Sequence, residues 1–289
     1  MKQAVLLVSH GTVESLDDLP AFLRNVRHGR EAPPELVTEL RRRYTAIRLP
    51  EAGGGSPLDA INGRLAQKLE RVLGVPVRRA SRLWRPYVKD VVAELDVERA
   101  VVLPLAQHSA HVYAEAAKRE IGGRAAVVCA ENWGQEPALL DAFAARARKL
   151  ASPDAALVLT AHSLPQRAID AGDPYEREVR ASAAGVIERV GGAFAETLVA
   201  FQSQGFGTEP WLGPSLPEVL DAIAARRERV VVAPIGFLAD HVEILYDLDV
   251  EAKAMAEARG LTLARTESLN DADDFVAVLA HLARELLAR

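Results

Sequence analysis

The sequence is short of cysteine, of positive charge and of long hydrophobic runs. Cys129 is the one cysteine among 289 residues, which excludes an internal disulfide framework and a multi-cysteine zinc site. It also excludes a cysteine-ligated iron–sulfur cluster within the chain. The chain contains 35 Lys and Arg residues and 40 Asp and Glu residues, so its formal net charge is −5. This composition gives no electrostatic reason to expect nucleic acid as a partner.

No stretch approaches the roughly 18–20 consecutive apolar residues of a membrane-spanning helix. The short apolar run after Lys2 ends at His10 and Gly11, and no small-residue cleavage pattern follows, so a buried first strand is favoured over a signal peptide. Gly53–Pro57 lacks the Lys-Ser/Thr of a phosphate-binding loop, and no Gly-x-Gly-x-x-Gly, His-Glu-x-x-His or nucleophile-elbow motif is present. We therefore expect a cytoplasmic protein with no transmembrane segment.

Short β-branched apolar runs alternate with longer segments of helical periodicity. The predicted strands are residues 4–9, 75–80, 100–105, 125–128, 156–160, 197–201, 230–235 and 261–265. The predicted helices between them include residues 57–73, 136–150, 175–190 and 271–287. Continuous apolar strands separated by helices are typical of parallel sheets that are covered on both faces, so the predicted fold class is doubly wound α/β.

The predicted strands divide four and four, with a plausible junction at Ser152-Pro153-Asp154. The segments AVLLVSHGT and ALVLTAHSLP open the two groups in the same way, with a buried strand, a small residue, a histidine and a turn. We therefore predict an N-terminal half of residues 1–151 and a C-terminal half of residues 152–289. The last helix belongs to the C-terminal half by sequence, and packing of this helix against the first half is compatible with the prediction.

Uncommon polar residues follow the strands, where open parallel sheets bind their ligands. The histidines at these ends are His10, His108, His111, His162 and His241. A single histidine is more often a satisfied structural residue than a ligand. Convergence of five on one rim would favour a site for a metal or for proton transfer. Cys129, inside a predicted strand, is interpreted as a small core residue.

The segment ADHVEILYDLDVEAK carries carboxylates four residues apart. If it is α-helical, Glu243, Asp247 and Glu251 form one row that drifts by about 40° at each step. A solvated acidic face at a helix start is one interpretation. The other is a row that holds or conducts a hydrated divalent cation, because hard cations prefer oxygen ligands and the row begins directly after a buried strand.

Several motifs together resemble the ferrochelatases, which insert ferrous iron into a porphyrin during haem synthesis. They are LLVSHGT, GGGSPL, TAHSLP, GDPY, QSQGFGTEPWLGP and PIGFLADHVEILYDLDVE, in family order along the whole chain. VRHGREAPPEL with RRRYTAI is similar to the propionate-binding region of the coproporphyrin-type branch. The resemblance implies two Rossmann-like halves with an active-site cleft between them, which agrees with the four-plus-four division.

The resemblance also implies roles for individual residues. His162 matches the catalytic histidine, Glu243 matches the catalytic glutamate, and Asp247 and Glu251 match the carboxylates that continue from it. Residues at positions that contact the macrocycle or its propionates are Arg27, Arg43, Tyr44, Ser56, Tyr113 and Ser203. Two positions depart from the family pattern. His10 stands where many members carry an iron-ligating tyrosine, so an axial metal role is open, and Leu83 stands where some members carry a histidine.

The implied activity is a lyase-class insertion of Fe²⁺ into coproporphyrin III or, alternatively, protoporphyrin IX. A histidine base near neutral pH would take the pyrrole protons while a carboxylate balances the changing charge. We expect no cofactor beyond the substrate iron, no iron–sulfur cluster, and at most transient contact with other haem-synthesis enzymes. Two other functions stay open: a sirohydrochlorin chelatase for cobalt or iron, since VSHG also resembles that group, and a non-catalytic tetrapyrrole-binding protein.

Overall fold

The computed structural model describes residues 2–47, 56–205 and 209–289. Gly53, Gly54 and Gly55 of the rejected phosphate-binding loop lie outside the described residues, as do residues 206–208 of the QSQGFGTEPWLGP motif. None of the described helices combines the length and the apolar character needed to cross a bilayer.

Strands and helices alternate along the chain as the sequence predicts. The first elements are β1 (Gln3–Ser9), a 3₁₀ turn (Leu16–Asp18), α1 (Leu19–Val26), α2 (Pro34–Ala46), α3 (Pro57–Leu73), β2 (Val77–Ser81), α4 (Val88–Leu95), β3 (Arg99–Pro104), α5 (Ala110–Ile121) and β4 (Ala126–Cys129). They are followed by α6 (Pro137–Arg148), β5 (Ser152–His162), α7 (Gln166–Asp170), α8 (Tyr175–Val190), β6 (Phe194–Gln202), α9 (Leu216–Ala224), β7 (Arg229–Ala233), α10 (Val242–Leu245), a π-helix (Asp247–Ala252), α11 (Lys253–Glu257), β8 (Thr262–Arg265) and α12 (Asp273–Ala288).

Within the described residues these strands form two parallel four-stranded sheets of the same topology. The strand orders are β2-β1-β3-β4 and β6-β5-β7-β8, so β1 and β5 hold equivalent inner positions. Leu6 pairs with Arg78 on one side and Val102 on the other, while Leu157 pairs with Thr197 and Val231. The predicted fold class is confirmed, and the similar openings of the two strand groups correspond to equivalent strands.

The chain forms two compact units that interleave along the sequence. Unit 1 comprises the chain up to Asn132 with Ala239–Val242 and Asn270–Arg289, and unit 2 comprises Trp133–Leu238 with Glu243–Leu269. The predicted boundary between residues 151 and 152 differs from this division by α6, which packs against α8 of unit 2. The approach is close, since a Cβ on Gly185 would lie 2.6 Å from Leu140.

The last helix packs within unit 1, against α3 and β3. Arg99 is buried at the start of β3. Its guanidinium donates hydrogen bonds of 2.9 and 3.2 Å to the carbonyls of Leu286 and Leu287. These carbonyls belong to the last turn of α12, where no backbone N–H remains to satisfy them and a positive charge is favourable. A cation at the foot of β3 therefore fixes the C-terminal end of the chain in unit 1.

Each sheet buries its apolar face under helices. In unit 1, Leu6 and Val102 of the inner strands pack with Ile121 of α5. In unit 2, Val158 and Val232 pack with Leu248 of the π-helix. Full burial of such a side chain contributes about 1.5–3 kcal/mol relative to exposure. This burial brings the polar residues that follow β1 and β5 to defined places at the carboxyl ends of the strands.

Candidate active site

His162 is the last residue of β5, and its imidazole faces a carboxylate. Its Nε2 lies 3.6 Å from Oε1 of Glu243, and the two side chains are 32% and 36% exposed, so solvent or a substrate can reach both. The other ring nitrogen, Nδ1, hydrogen bonds to the carbonyl of Ser163. Because a carbonyl only accepts, Nδ1 carries the hydrogen, and Nε2 is the basic nitrogen of the neutral ring. The arrangement presents a base directly beside a carboxylate.

Opposing effects act on the pKa of His162. Burial lowers the pKa. The charge of Glu243 and its hydrogen bond raise it, as do the Ser163 carbonyl and the charge of Asp247, and the net effect is a raised pKa. The histidine is therefore a stronger base than an ordinary imidazole. Its backbone is also fixed, since the Tyr175 hydroxyl donates a 2.9 Å hydrogen bond to the His162 carbonyl.

Glu243 lies in the first turn of a helical segment that is not a regular α-helix. A short α-helical turn, α10, is followed by the π-helix, in which the Glu251 N–H donates to the carbonyl of Tyr246, five residues earlier, at 2.9 Å. The condition of a regular α-helix, on which the 40° drift along the row rested, is therefore not met. In an α-helix, side chains four residues apart are offset by about 40° around the helix axis. A turn of π-helix contains more than four residues, so the same two positions are offset in the opposite direction.

Because the offsets of the two helix types oppose each other, residues four apart in this segment form nearly straight rows along the helix axis. The buried row Ile244, Leu248, Ala252 and Ala256 packs into the core of unit 2. The polar row is the predicted one, Glu243, Asp247 and Glu251, of which Glu243 and Glu251 are half-buried and Asp247 is 6% exposed. Asp249 does not join it, because Arg265 binds its carboxylate at 2.6 and 2.8 Å.

The second member of the row is held by the end of β6. The Ser203 hydroxyl donates a 2.5 Å hydrogen bond to Oδ2 of Asp247. Its neighbour Gln202 pairs in register with His162 and donates from its side-chain amide to the Glu243 carbonyl at 3.3 Å. The resemblance implied a substrate contact for Ser203 and no role for Gln202. The available signal was a polar residue at the end of the strand beside His162.

In unit 1, the loop that follows β1 contains the predicted site residue His10 and contacts two tyrosines. His10 is exposed; its Nδ1 is 3.4 Å from the Tyr113 hydroxyl, and its ring meets that of Phe22 edge-on at 6.1 Å. Buried Tyr44 reaches Thr12 through a 3.1 Å contact between hydroxyls. The loop after β1 therefore presents an imidazole whose orientation is set by aromatic neighbours.

The remaining predicted substrate contacts also lie in unit 1. Ser56 is buried and caps α3 by accepting a hydrogen bond from the Leu58 N–H. Arg43 lies 2.9 Å from Glu39, and the hydrogen bonds of Arg42 and Arg43 lower the pKa of Glu39 to about 2. Arg27 is half-buried and donates to the Glu31 carbonyl at 3.3 Å. Arg43 therefore donates its Nε–H to a carboxylate of its own helix.

The five histidines that follow strands differ in their surroundings. His108 is 2% exposed, and burial lowers its pKa to about 3, which identifies it as a neutral core residue. His111 faces Asn132 at 3.3 Å, and His241 bonds through Nδ1 to the Ala239 carbonyl at 2.9 Å.

The predicted metal set is His10, His162, Glu243, Asp247 and Glu251. Across residues 2–47, 56–205 and 209–289, no three His, Cys, Asp or Glu side chains are close enough to hold a metal ion. The structure brings His162 and Glu243 together as a pair, and His10 belongs to the other unit.

The ferrochelatase family model matches residues 2–287 of the chain. The chain belongs to the ferrochelatase family. A ferrochelatase of Acidobacterium capsulatum is 36% identical, with 100% of this chain and 95% of that protein aligned. A coproporphyrin III ferrochelatase of Anoxybacillus flavithermus is 32% identical over 97% of this chain and 96% of its own length.

The solved structures of chelatases share the fold of this ferrochelatase family member. SirB of Bacillus subtilis, solved with Fe³⁺, is 16% identical and aligns with 100% of this chain and 96% of its own, with a TM-score of 0.61. At this identity the likeness concerns the fold alone.

Proposed function

We propose that this protein inserts Fe²⁺ into a porphyrin, with coproporphyrin III as the preferred substrate. The observation that carries the proposal is the 3.6 Å pair of His162 Nε2 and Glu243 Oε1 at the end of β5. It is supported by membership of the ferrochelatase family and by full-length relatives that bear this name. The reaction is a metal insertion of the lyase class, with iron as a substrate and no further cofactor.

Metal insertion requires two protons to leave the porphyrin as one dication enters. A free-base porphyrin carries two pyrrole N–H groups, and each must lose its proton before the nitrogen can bind iron. His162 accepts the two protons one after the other at Nε2, since Nδ1 is occupied by the Ser163 carbonyl, and its partly exposed ring releases each of them to solvent. Glu243 stabilises the resulting imidazolium and balances the charge that is exchanged between protons and metal.

The carboxylate row has a separate task, which is to conduct the hydrated cation. Asp247 and Glu251 follow Glu243 at four-residue intervals on the straightened helical segment. Oxygen ligands bind a hydrated Fe²⁺ without the tight closed shell that thiolates would provide. The ion then passes from this row to the porphyrin nitrogens.

Coproporphyrin III differs from protoporphyrin IX in carrying four propionates instead of two. Arg27 and Arg43 are the cations we assign to these propionates, with Tyr44, Ser56 and Tyr113 as further contacts to the macrocycle. Guanidinium groups suit this task because they bind carboxylates in a bidentate fashion. The coproporphyrin-type relative named above supports this preference.

An anaerobic metallation assay tests the proposal. Purified protein is mixed with Fe²⁺ and, in separate reactions, coproporphyrin III, protoporphyrin IX and sirohydrochlorin, and absorbance follows metallation. We expect coproporphyrin III to be metallated fastest and the Arg43→Leu variant to lose that preference. Turnover of sirohydrochlorin alone would identify the other chelatase class. Binding of a porphyrin without any metallation would identify a binding protein, and either result would overturn the proposal.

A further inference from the structure

Gln202 connects the strand of the predicted base to the backbone of the predicted carboxylate. It is the last residue of β6, it is the register partner of His162, and only 4% of it is exposed. Its Nε2 donates to the main-chain carbonyl of Glu243 at 3.3 Å. We propose that Gln202 is a positioning residue for Glu243, an inference that rests on the proposed function. It acts by holding the residue that bears the carboxylate against the strand that bears the imidazole.

The amide of Gln202 is buried at an energetic cost. Its Oε1 has no hydrogen-bond partner among the described residues, although it is inaccessible to solvent. An unsatisfied buried acceptor lowers the stability of the folded state, a penalty that a methionine or leucine of similar size would avoid. The amide nitrogen of Gln202 donates to the Glu243 carbonyl at 3.3 Å and to the Ser203 hydroxyl at 3.5 Å, contacts that an apolar side chain could not make.

The next residue acts on the next carboxylate in the same way. Ser203 has a φ of +59°, in the left-handed region that residues with a Cβ seldom adopt, and from there its hydroxyl reaches Asp247. Gln202 at the end of β6 and Ser203 directly after it thus hold two successive members of the row. Because α10 is only four residues long, its own backbone hydrogen bonds provide little rigidity, and support from β6 defines its orientation.

The test compares Gln202→Met with Thr160→Val. Met keeps the length of the side chain and removes the amide donor. Thr160 lies on β5, two residues before His162, and its buried hydroxyl also has no partner among the described residues, so Val removes a polar group that positions nothing. For each variant, kcat and the KM for coproporphyrin III are measured, with rates expressed per molecule of bound porphyrin so that unfolded protein is not counted.

For Gln202→Met we expect kcat to fall about five- to tenfold with the porphyrin KM unchanged, because one hydrogen bond that orients a reacting group is lost. Hydrogen exchange should accelerate in residues 243–252 and stay the same in β1. Thr160→Val should match the wild type in both measurements. A wild-type kcat and unchanged exchange in Gln202→Met would overturn the inference, as would equal effects in the two variants.

A second variant covers the case in which Gln202→Met does not fold. Gln202→Glu keeps the shape and replaces the donor by an oxygen, so its ionised form repels the Glu243 carbonyl, and kcat should fall at least as far. A wild-type kcat in this variant would also overturn the inference. If the wild-type protein metallates no porphyrin, the proposed function fails, and the hydrogen-exchange comparison still decides whether Gln202 orders the segment of Glu243.

Discussion

His10 and His162 follow equivalent inner strands of two sheets with the same topology, and their surroundings differ. His162 stands 3.6 Å from Glu243, with the hydroxyl of Tyr175 fixing its backbone. His10 is exposed beside Tyr113 and Phe22. One position of the fold therefore carries a base next to a carboxylate in unit 2 and an imidazole next to aromatic rings in unit 1.

The difference arises from the elements that approach each strand end. In unit 2, the chain after β7 leads into α10 and the π-helix, whose first polar residue is Glu243. In unit 1, Tyr113 comes from α5 and Phe22 from α1. Topology thus provides the place of a site, and the segments added around the strand determine its chemistry.

Replacement of His162 gives the largest expected effect. His162→Ala should lower the rate of iron insertion by at least about 100-fold, the usual contribution of a general base, while porphyrin binding is retained. His281→Ala is the matched control, because that histidine is exposed on α12 beside Glu285. Anaerobic absorbance assays and porphyrin fluorescence titration measure the two quantities. If His162→Ala keeps most of the wild-type rate, His162 is not the base.

Removal of the carboxylate should have a smaller effect. Glu243→Gln keeps the shape and should lower kcat about 10- to 100-fold. In the metal-free protein, the charge of Glu243 opposes the effect of burial on His162, so the variant should have a lower His162 pKa than the wild type. The imidazole then becomes neutral at a lower pH. NMR titration of the ring protons checks the sign, and an unchanged or higher pKa would contradict the pairing.

The smallest expected effect concerns His10. If His10 contacts the bound iron axially, His10→Ala should change the absorbance spectrum of bound haem product, while the insertion rate falls less than about tenfold. His10→Tyr restores the residue type that many family members carry and should give a third, distinct spectrum. If the spectrum of His10→Ala matches that of the wild type, His10 makes no axial contact, and the two histidines differ even more than their surroundings indicate.

Features that depend on local pattern could be predicted from the sequence. Every predicted strand overlaps an observed one, because uninterrupted apolar runs such as residues 100–105 have few alternatives to a buried strand. His162 and Glu243 were selected from their places after strands and from the resemblance, and the structure brings them together. The parallel sheets followed from the alternation of strands and helices.

Features that depend on packing between distant segments could not be predicted. The π-helix requires a hydrogen bond between Tyr246 and Glu251 that no local propensity encodes. Burial of His108 and the contact of Gln202 with the Glu243 carbonyl are likewise set by tertiary structure. Assignment of α6 to unit 2 depends on the close approach of Leu140 to Gly185, and a glycine within a helix gives little sign of this.

The docking of α12 on α3 and β3 has a consequence for the order of folding. All of unit 2 precedes α12 in the chain, so a ribosome completes unit 2 before it supplies the last helix of unit 1. During that interval Arg99 lacks the Leu286 and Leu287 carbonyls, and the apolar side chains that α12 covers on α3 and β3 are open to solvent. Unit 1 is begun first and finished last, so a single cut between the units would leave it without its closing helix.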